Sequence, residues 1–347
     1  MELGKKIRQL RFKAQLTQEQ LAERLGIGPQ SVSKWETGVA MPDITTLPLL
    51  AEIFGVSIDD LFDLTAEQRL NRIENRMDVE EELPQDIFWE YEEFLKSQLS
   101  DEQNKDRAVD LLAYLYWHRM NSYGKKAIQY AGQSVRNHPD VKNNQWILSK
   151  AAGHAIWDWN LANHHQAVEF YRQLISENPQ SVLSYEYLID NLLADRRADE
   201  AEECLKKLES LPGSNPLLNE AYRAHIALAR FDEKTADEIM ETMVREHPQD
   251  DVALFETAQY YAGKSNYQKA IDYYERSFAC SKRQPRFQDE LMAIAEIYEI
   301  IGDYRKAAES YDRIIELLEK EWGMSEDVEL KNAQQEKARL LAKAQHQ

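Results

Sequence analysis

Six alanines, Ala127, Ala167, Ala201, Ala236, Ala270 and Ala307, recur at spacings of 40, 34, 35, 34 and 37 residues. Tyr171, Tyr274 and Tyr311 each stand four residues after their alanine, on the same face of a helix. Pro139, Pro179 and Pro248 each stand twelve residues after theirs. This pattern describes a helix pair. The small residue lets two helices approach closely, the aromatic fills the gap beside it, and the proline stops the second helix. One such pair cannot bury its apolar face alone, so copies must stack into a continuous core. Glycine and proline total only 22 of the 347 residues, and no stretch alternates as a strand does. The fold class is therefore all-α.

A period near 34 with this small–aromatic–proline frame resembles the tetratricopeptide repeat, most clearly in "IAEIYEIIGDYRKAAESYDRII" at 294–315. The resemblance implies a right-handed α-solenoid over residues 107–323. Residues 324–347 read as a polar helix capping it. Position 9 of each repeat, counted with the alanine as position 20, usually faces the groove of such a solenoid. That column holds Tyr116, Ile156, Asp190, His225, Gln259 and Glu296, of which only Ile156 is plainly apolar. Neighbouring positions add Arg119, Trp159, Asn160 and Glu186. Aromatic, amide and carboxylate side chains in one channel suit an extended peptide, whose backbone needs hydrogen-bond partners.

The N-terminal 63 residues follow different rules. In "LTQEQLAERLG" (16–26), Thr17 and Gln20 have the spacing of a capping box, and Leu21, Ala22 and Leu25 make an apolar face. Gly26 suits a left-handed helix end, and Pro29 suits the first position of the next helix. On that second helix Val32 and Trp35 point inward. Gln30, Ser31, Ser33, Lys34 and Thr37 are left outside. Two short helices joined by a tight turn, the second with short polar side chains outward, suit the DNA major groove.

The segment 3–62 resembles the five-helix DNA-binding domain of the lambdoid phage repressors, the XRE family. "IRQLRFKAQLTQEQLAERLGI", "SVSKWETG" and "LAEIFGVSIDDLF" carry the likeness. The resemblance implies a role for each matching residue. Gln18 touches phosphate and braces the reading helix. Gln30, Ser31, Ser33 and Lys34 contact bases or backbone, and Thr37 bonds phosphate. Arg11 and Glu36 form a structural ion pair. Pro29 stands where some phage repressors carry a base-reading glutamine. It offers only apolar contact, which shifts readout toward Gln30 and Lys34.

Charge supports this division. The chain carries −19 overall, yet residues 1–34 hold seven basic and three acidic side chains. A DNA-facing surface must be a small patch at the extreme N-terminus, and a general polyanion binder is excluded. Residues 64–106 form a helical linker or capping segment. Within it, 64–83 reads as one charged helix with a thin stripe of Leu70, Ile73 and Met77, a linker or a short dimerising seam. Cys204 and Cys280 are the only cysteines, so a disulfide framework is unsupported and a reducing compartment is expected. No signal peptide or membrane span is visible, which places the protein in the cytoplasm. Adjacent His164 and His165 point to different helix faces and read as a surface pair, not a metal site. No phosphate loop, metal cluster or nucleophile motif occurs, so neither catalysis nor a cofactor is expected.

A helix-turn-helix followed by helical repeats resembles the Rgg and PlcR-like peptide pheromone receptors. That resemblance implies a sequence-specific regulator, dimeric on palindromic double-stranded DNA, with a signalling peptide in its repeat groove. The alternative is a DNA-tethered adaptor whose repeats bind a protein partner.

Overall fold

A computed structural model describes residues 2–56, 58, 61–62, 65–154, 164–325 and 327–346. The described residues form eighteen α-helices and contain no strand. They divide into two compact units, Met1–His154 and Ala155–Gln347.

The first unit opens with α1 (Glu2–Lys13), α2 (Gln18–Leu25) and α3 (Pro29–Glu36), then a 3-10 turn at Ile44–Thr46 and α4 (Leu47–Phe54). Ile7, Leu21, Val32, Leu50 and Leu61 are fully buried in one core. The fifth helix expected before residue 63 falls mostly on positions outside the described residues. Three further helices follow: α5 (Ala66–Val79), α6 (Gln85–Gln98) and α7 (Lys105–Asn137), with α8 (Lys142–Ala151) packed on the last.

Expectations are corrected in two parts of this region. The helix expected over 64–83 ends at Val79. Pro84 explains the stop, because its ring would clash with the carbonyl of Glu80 in a continuing helix. That carbonyl instead lies 2.6 Å from His118 Nε2 on α7. The stripe of Leu70, Ile73 and Met77 is not an open seam either. It is buried against Phe88, Tyr91 and Leu95 of α6 and Leu111 and Leu115 of α7.

The second correction concerns the first repeat. Residues 105–137 are one continuous helix of 33 residues, not a helix pair. Ala127 lies within it, half-buried and short of the full burial that Ala201, Ala236, Ala270 and Ala307 reach. The difference shows five residues before each alanine. Arg196, Phe231, Ser265 and Gly302 have φ of 56°, 64°, 58° and 83° and turn the chain between paired helices. The equivalent Ser122 stays helical, its hydroxyl donating to the Arg119 carbonyl. A lone Gly124 costs a helix only about 1 kcal/mol, less than packing on α5 and α6 recovers.

In the second unit α9 (His165–Glu177) precedes four pairs: α10 (Val182–Ala194) with α11 (Ala198–Glu209), α12 (Pro216–Ala229) with α13 (Glu233–Glu246), α14 (Asp251–Gly263) with α15 (Tyr267–Cys280), and α16 (Asp289–Ile300) with α17 (Tyr304–Lys320). Ala201, Ala236, Ala270 and Ala307 are fully buried where the helices of each pair meet. Tyr260, Tyr261 and Tyr274 fill the space beside them. The last helix, α18 (Val328–Gln345), covers α17 through Leu330, Ala333 and Leu340.

Glu299 on α16 pins α18. It accepts from both Arg339 Nη atoms and from Lys343 Nζ, each at 2.6 Å. Arg339 chiefly, against the opposing effect of burial and with help from Lys343, holds the Glu299 carboxyl at about 2. The folded value lies below the unfolded one. The stabilisation is therefore complete above about pH 4.5 and is lost as pH falls toward 2. A Glu299→Gln chain should melt below the parent at pH 6, by about 1 kcal/mol for a partly exposed pair. The gap should close below pH 3 in circular-dichroism melts; a gap independent of pH would remove this role.

Candidate functional site

The turn between α2 and α3 is built by local sequence. Thr17 Oγ1 accepts from Gln20 N at 3.2 Å, and Gln20 Oε1 accepts from Thr17 N at 2.8 Å, closing the N-terminus of α2. Gly26, at φ 69°, ends it, and Pro29 opens α3 with no donor to satisfy. Val32 is completely buried and Trp35 is 7% exposed, so these two residues fix which way α3 faces.

The opposite face of α3 carries the polar residues. Pro29, Gln30, Lys34 and Thr37 are exposed, and Ser31 and Ser33 are half-buried. Among the described residues, no exposed side chain on this face except Thr37 is tied into the fold. Its hydroxyl donates to the Ser33 carbonyl at 2.8 Å and so closes the end of α3. Any contact Thr37 makes to phosphate must use its remaining lone pairs or its backbone. Gln30 and Lys34 are one helical turn apart, on a common stripe.

A buried ion pair sets the height of this helix above the domain. Arg11 Nε and Nη2 donate to Glu36 Oε1 and Oε2 at 2.6 and 2.8 Å, and Arg11 Nη1 donates to the Leu16 carbonyl at 2.8 Å. The side chains are 7% and 3% exposed. Gln18 Nε2 adds a bond of 2.8 Å to Glu36 Oε2, so the first residue of α2 grips the last residue of α3. Burial pushes the Glu36 carboxyl up; the bonds from Arg11 and Gln18 outweigh it and hold the group below its ordinary value. The bond to Glu36 raises the Arg11 guanidinium. The pair is charged throughout the physiological range.

Gly4 was not visible as a site residue in the sequence. A Cβ there would lie 2.0 Å from the Trp35 carbonyl oxygen. The backbones of α1 and α3 touch at this point, and only glycine permits it. The signal available was weak: a glycine in a helix otherwise made of good helix formers.

The residues assigned to the repeat groove fall in three places. Tyr116 and Arg119 belong to the first unit, on the continuous α7. Tyr116 Oη donates to Glu92, and the Arg119 guanidinium lies 4.3 Å from the Phe88 ring centroid. The frame that aligned them with the later repeats does not hold on an unbroken helix. Trp159 and Asn160 lie outside the described residues. Glu186 and Asp190 lie on α10, His225 on α12 and Gln259 on α14. The buried Tyr222 hydroxyl hydrogen-bonds Asp190. Burial lowers the His225 imidazole, so it stays neutral. Burial and the nearby Asp190 raise the Glu186 carboxyl. His164, expected at the surface, places Nδ1 2.7 Å from Asp195.

Residues 6–61 match the family described as Helix-turn-helix, and residues 291–319 match the family described as Tetratricopeptide repeat. The HTH-type transcriptional activator BcrR of Enterococcus faecalis is 39% identical over 79 residues, which cover 23% of this chain and 39% of BcrR. The HTH-type transcriptional regulator ImmR of Bacillus subtilis (strain 168) is 41% identical over 61 residues, or 18% of this chain and 48% of ImmR. The chain thus spans half or less of the length of these relatives. Among solved structures, the apo competence regulator ComR of Streptococcus vestibularis aligns over 98% of both chains at 15% identity and a TM-score of 0.25. Bacillus thuringiensis PlcR, in complex with the peptide PapR7 and DNA, aligns over 91% of this chain and 96% of its own at 15% identity and a TM-score of 0.26. No helix among the described residues is long and apolar enough to cross a membrane.

Proposed function

We propose that this chain, an XRE-type helix-turn-helix domain joined to tetratricopeptide repeats, is a sequence-specific DNA-binding transcriptional regulator whose repeat unit senses a peptide. The observation that carries the DNA reading is α3 itself. It is anchored by Val32 and Trp35, braced by Arg11, Glu36 and Gln18, and presents Gln30 and Lys34 unpaired to solvent. Glutamine can pair both edges of adenine, and lysine can reach guanine or phosphate. Pro29 adds an apolar contact, and Ser31, Ser33 and Thr37 lie within reach of the backbone. The relatives' names, a transcriptional activator and a transcriptional regulator, agree with this role.

One such helix covers only a few base pairs. Two copies on a palindrome, with half-sites about 34–36 Å apart or a multiple of that, supply the remaining specificity. The α5 stripe is buried within its own unit, so the repeats are the proposed dimerising element. They are also acidic and stay clear of DNA. A ligand that prefers one arrangement of the repeats then changes the spacing of the reading helices. The carboxylate and amide residues Glu186, Asp190 and Gln259, together with His225, support a peptide as that ligand.

The test of DNA reading is titration of operator DNA with Gln30→Ala and Lys34→Ala chains. Each should lose about 1–3 kcal/mol of specific binding. Melting should be unchanged, because both side chains are exposed. Parent-like affinity in both variants would place the reading surface elsewhere.

A further inference from the structure

The spacing between Ala270 and Ala307 is 37 residues, whereas the two spacings before it are 35 and 34. The surplus lies in the segment 281–288, between α15 and α16. There the chain leaves the regular stacking and holds open a cavity of about 730 Å³. Phe255 of α14, Phe278 of α15 and Phe287 of the segment itself form its apolar walls. The segment is held from outside. Arg286 Nε and backbone N donate to Glu321 at 3.0 and 2.9 Å, and Trp322 Nε1 donates to the Arg286 carbonyl at 2.7 Å. The cavity is thus a built feature of the fold.

Its polar lining is predominantly acidic. Asp251, Glu256, Asp289 and Glu290 line it, against Arg283 and Arg286. Arg286 is already neutralised by Glu321, and the Arg283 guanidinium sits 3.5 Å from the Phe287 ring centroid at the rim. Glu290 accepts from the buried Ser277 hydroxyl at 3.1 Å. Glu256 has no hydrogen-bond or ion-pair partner among the described residues, although it is largely enclosed. Burial chiefly, and Asp190 beyond it, push its carboxyl up to about 7. An enclosed carboxylate without a partner carries an unmet electrostatic demand. Arg286 and Arg283 already lie 4.2 and 3.5 Å from the Phe278 and Phe287 ring centroids, so with Phe255 these rings offer a ligand apolar walls.

We infer that this cavity binds an organic cation, an ammonium or guanidinium on an apolar stem, with Glu256 as its counter-ion and Phe255, Phe278 and Phe287 around the stem. The chemistry is shared by a free aromatic amine and by a basic residue of a peptide. The inference deepens the sensing reading above and rests on it. It places the ligand's basic group at the edge formed by α14, α15 and α16.

The test is calorimetric titration of the full-length protein at pH 8, where Glu256 is ionised. The probes are phenethylamine, its neutral analogue 2-phenylethanol, and the capped dipeptide acetyl-Phe-Lys-amide. The amine should bind at about millimolar or tighter and the alcohol at least tenfold more weakly. Glu256→Gln, which keeps the side-chain shape, should erase that difference, whereas Glu238→Gln, at an exposed carboxylate on α13 outside the cavity, should preserve it. Tighter binding of the dipeptide identifies a peptide residue as the source, and tighter binding of phenethylamine a free amine. Equal binding of amine and alcohol, no binding of either cation, or an unchanged preference in Glu256→Gln overturns the inference. Operator titration of the same preparations separates the two readings. Intact DNA binding with no cation binding removes only the cavity assignment. Cation binding without any operator binding removes only the regulator.

Discussion

Replacing Trp35 by alanine should cost the N-terminal domain about 3–5 kcal/mol and abolish DNA binding through loss of structure. Trp35 is 7% exposed and sits in the same core as Leu3, Ile7, Leu21, Val32 and Leu50. Its side chain anchors the C-terminal half of α3. Its backbone carbonyl is also the surface on which Gly4 of α1 rests. Removing the ring opens a cavity between α1 and α3 that neither helix can close, because their backbones already touch. A small domain has about 5–15 kcal/mol in total, so such a loss leaves much of the population unfolded. Thermal melts and near-ultraviolet circular dichroism would show it. A folded Trp35→Ala domain with altered sequence preference would mean that Trp35 faces DNA.

The second large effect concerns the ion pair. Arg11→Met alone should destabilise the domain by about 3–5 kcal/mol, because it strands the Glu36 carboxylate in a buried position. Among the described residues Gln18 would remain as its hydrogen-bond partner, with Arg8 acting on it at longer range. The double change Arg11→Met with Glu36→Leu should recover most of that loss, since buried pairs can be replaced by apolar groups of similar volume at little cost. The double variant should nonetheless bind DNA less well than the parent. Glu36 is where Gln18 ties α2 to α3, and an apolar substitute leaves the angle of the reading helix less well held. Chemical denaturation of the three chains measures the first part and operator titration the second. Equal stability of the single and double variants would show that the pair itself, not the stranded charge, supplies the stability.

These effects depend on features that sequence reading captured unevenly. The α2–α3 turn was legible because every device in it is local: Thr17 with Gln20, Gly26, and Pro29 act within a few residues. The repeat pairs from α10 onward were legible for a related reason. A small residue recurs in register in all four, with an aromatic four later in the last two. The same frame misled at residues 105–137. There Ala127 and Pro139 match the pattern, yet Ser122 stays helical where Ser265, the same residue type at the equivalent position, turns left-handed, so residue type alone does not decide. Whether a helix breaks at such a point depends on what it packs against, and α5 and α6 are distant in sequence. The stripe of Leu70, Ile73 and Met77 posed the same difficulty: its apolar character was plain, its internal partners were not. Gly4 and the cavity beside Glu256 arise from close approach in space. The only trace of the cavity was the longer spacing before Ala307.

The central claim is that α3 reads a DNA sequence. Selection of binding sites from random duplex DNA with the full-length chain tests it most directly. One enriched palindromic sequence should emerge, bound at least about a thousandfold more tightly than random DNA at physiological salt. The Gln30→Ala chain should lose preference at a matching base pair in each half-site. A pool that yields no shared sequence, or equal affinity for selected and random DNA, would contradict the claim.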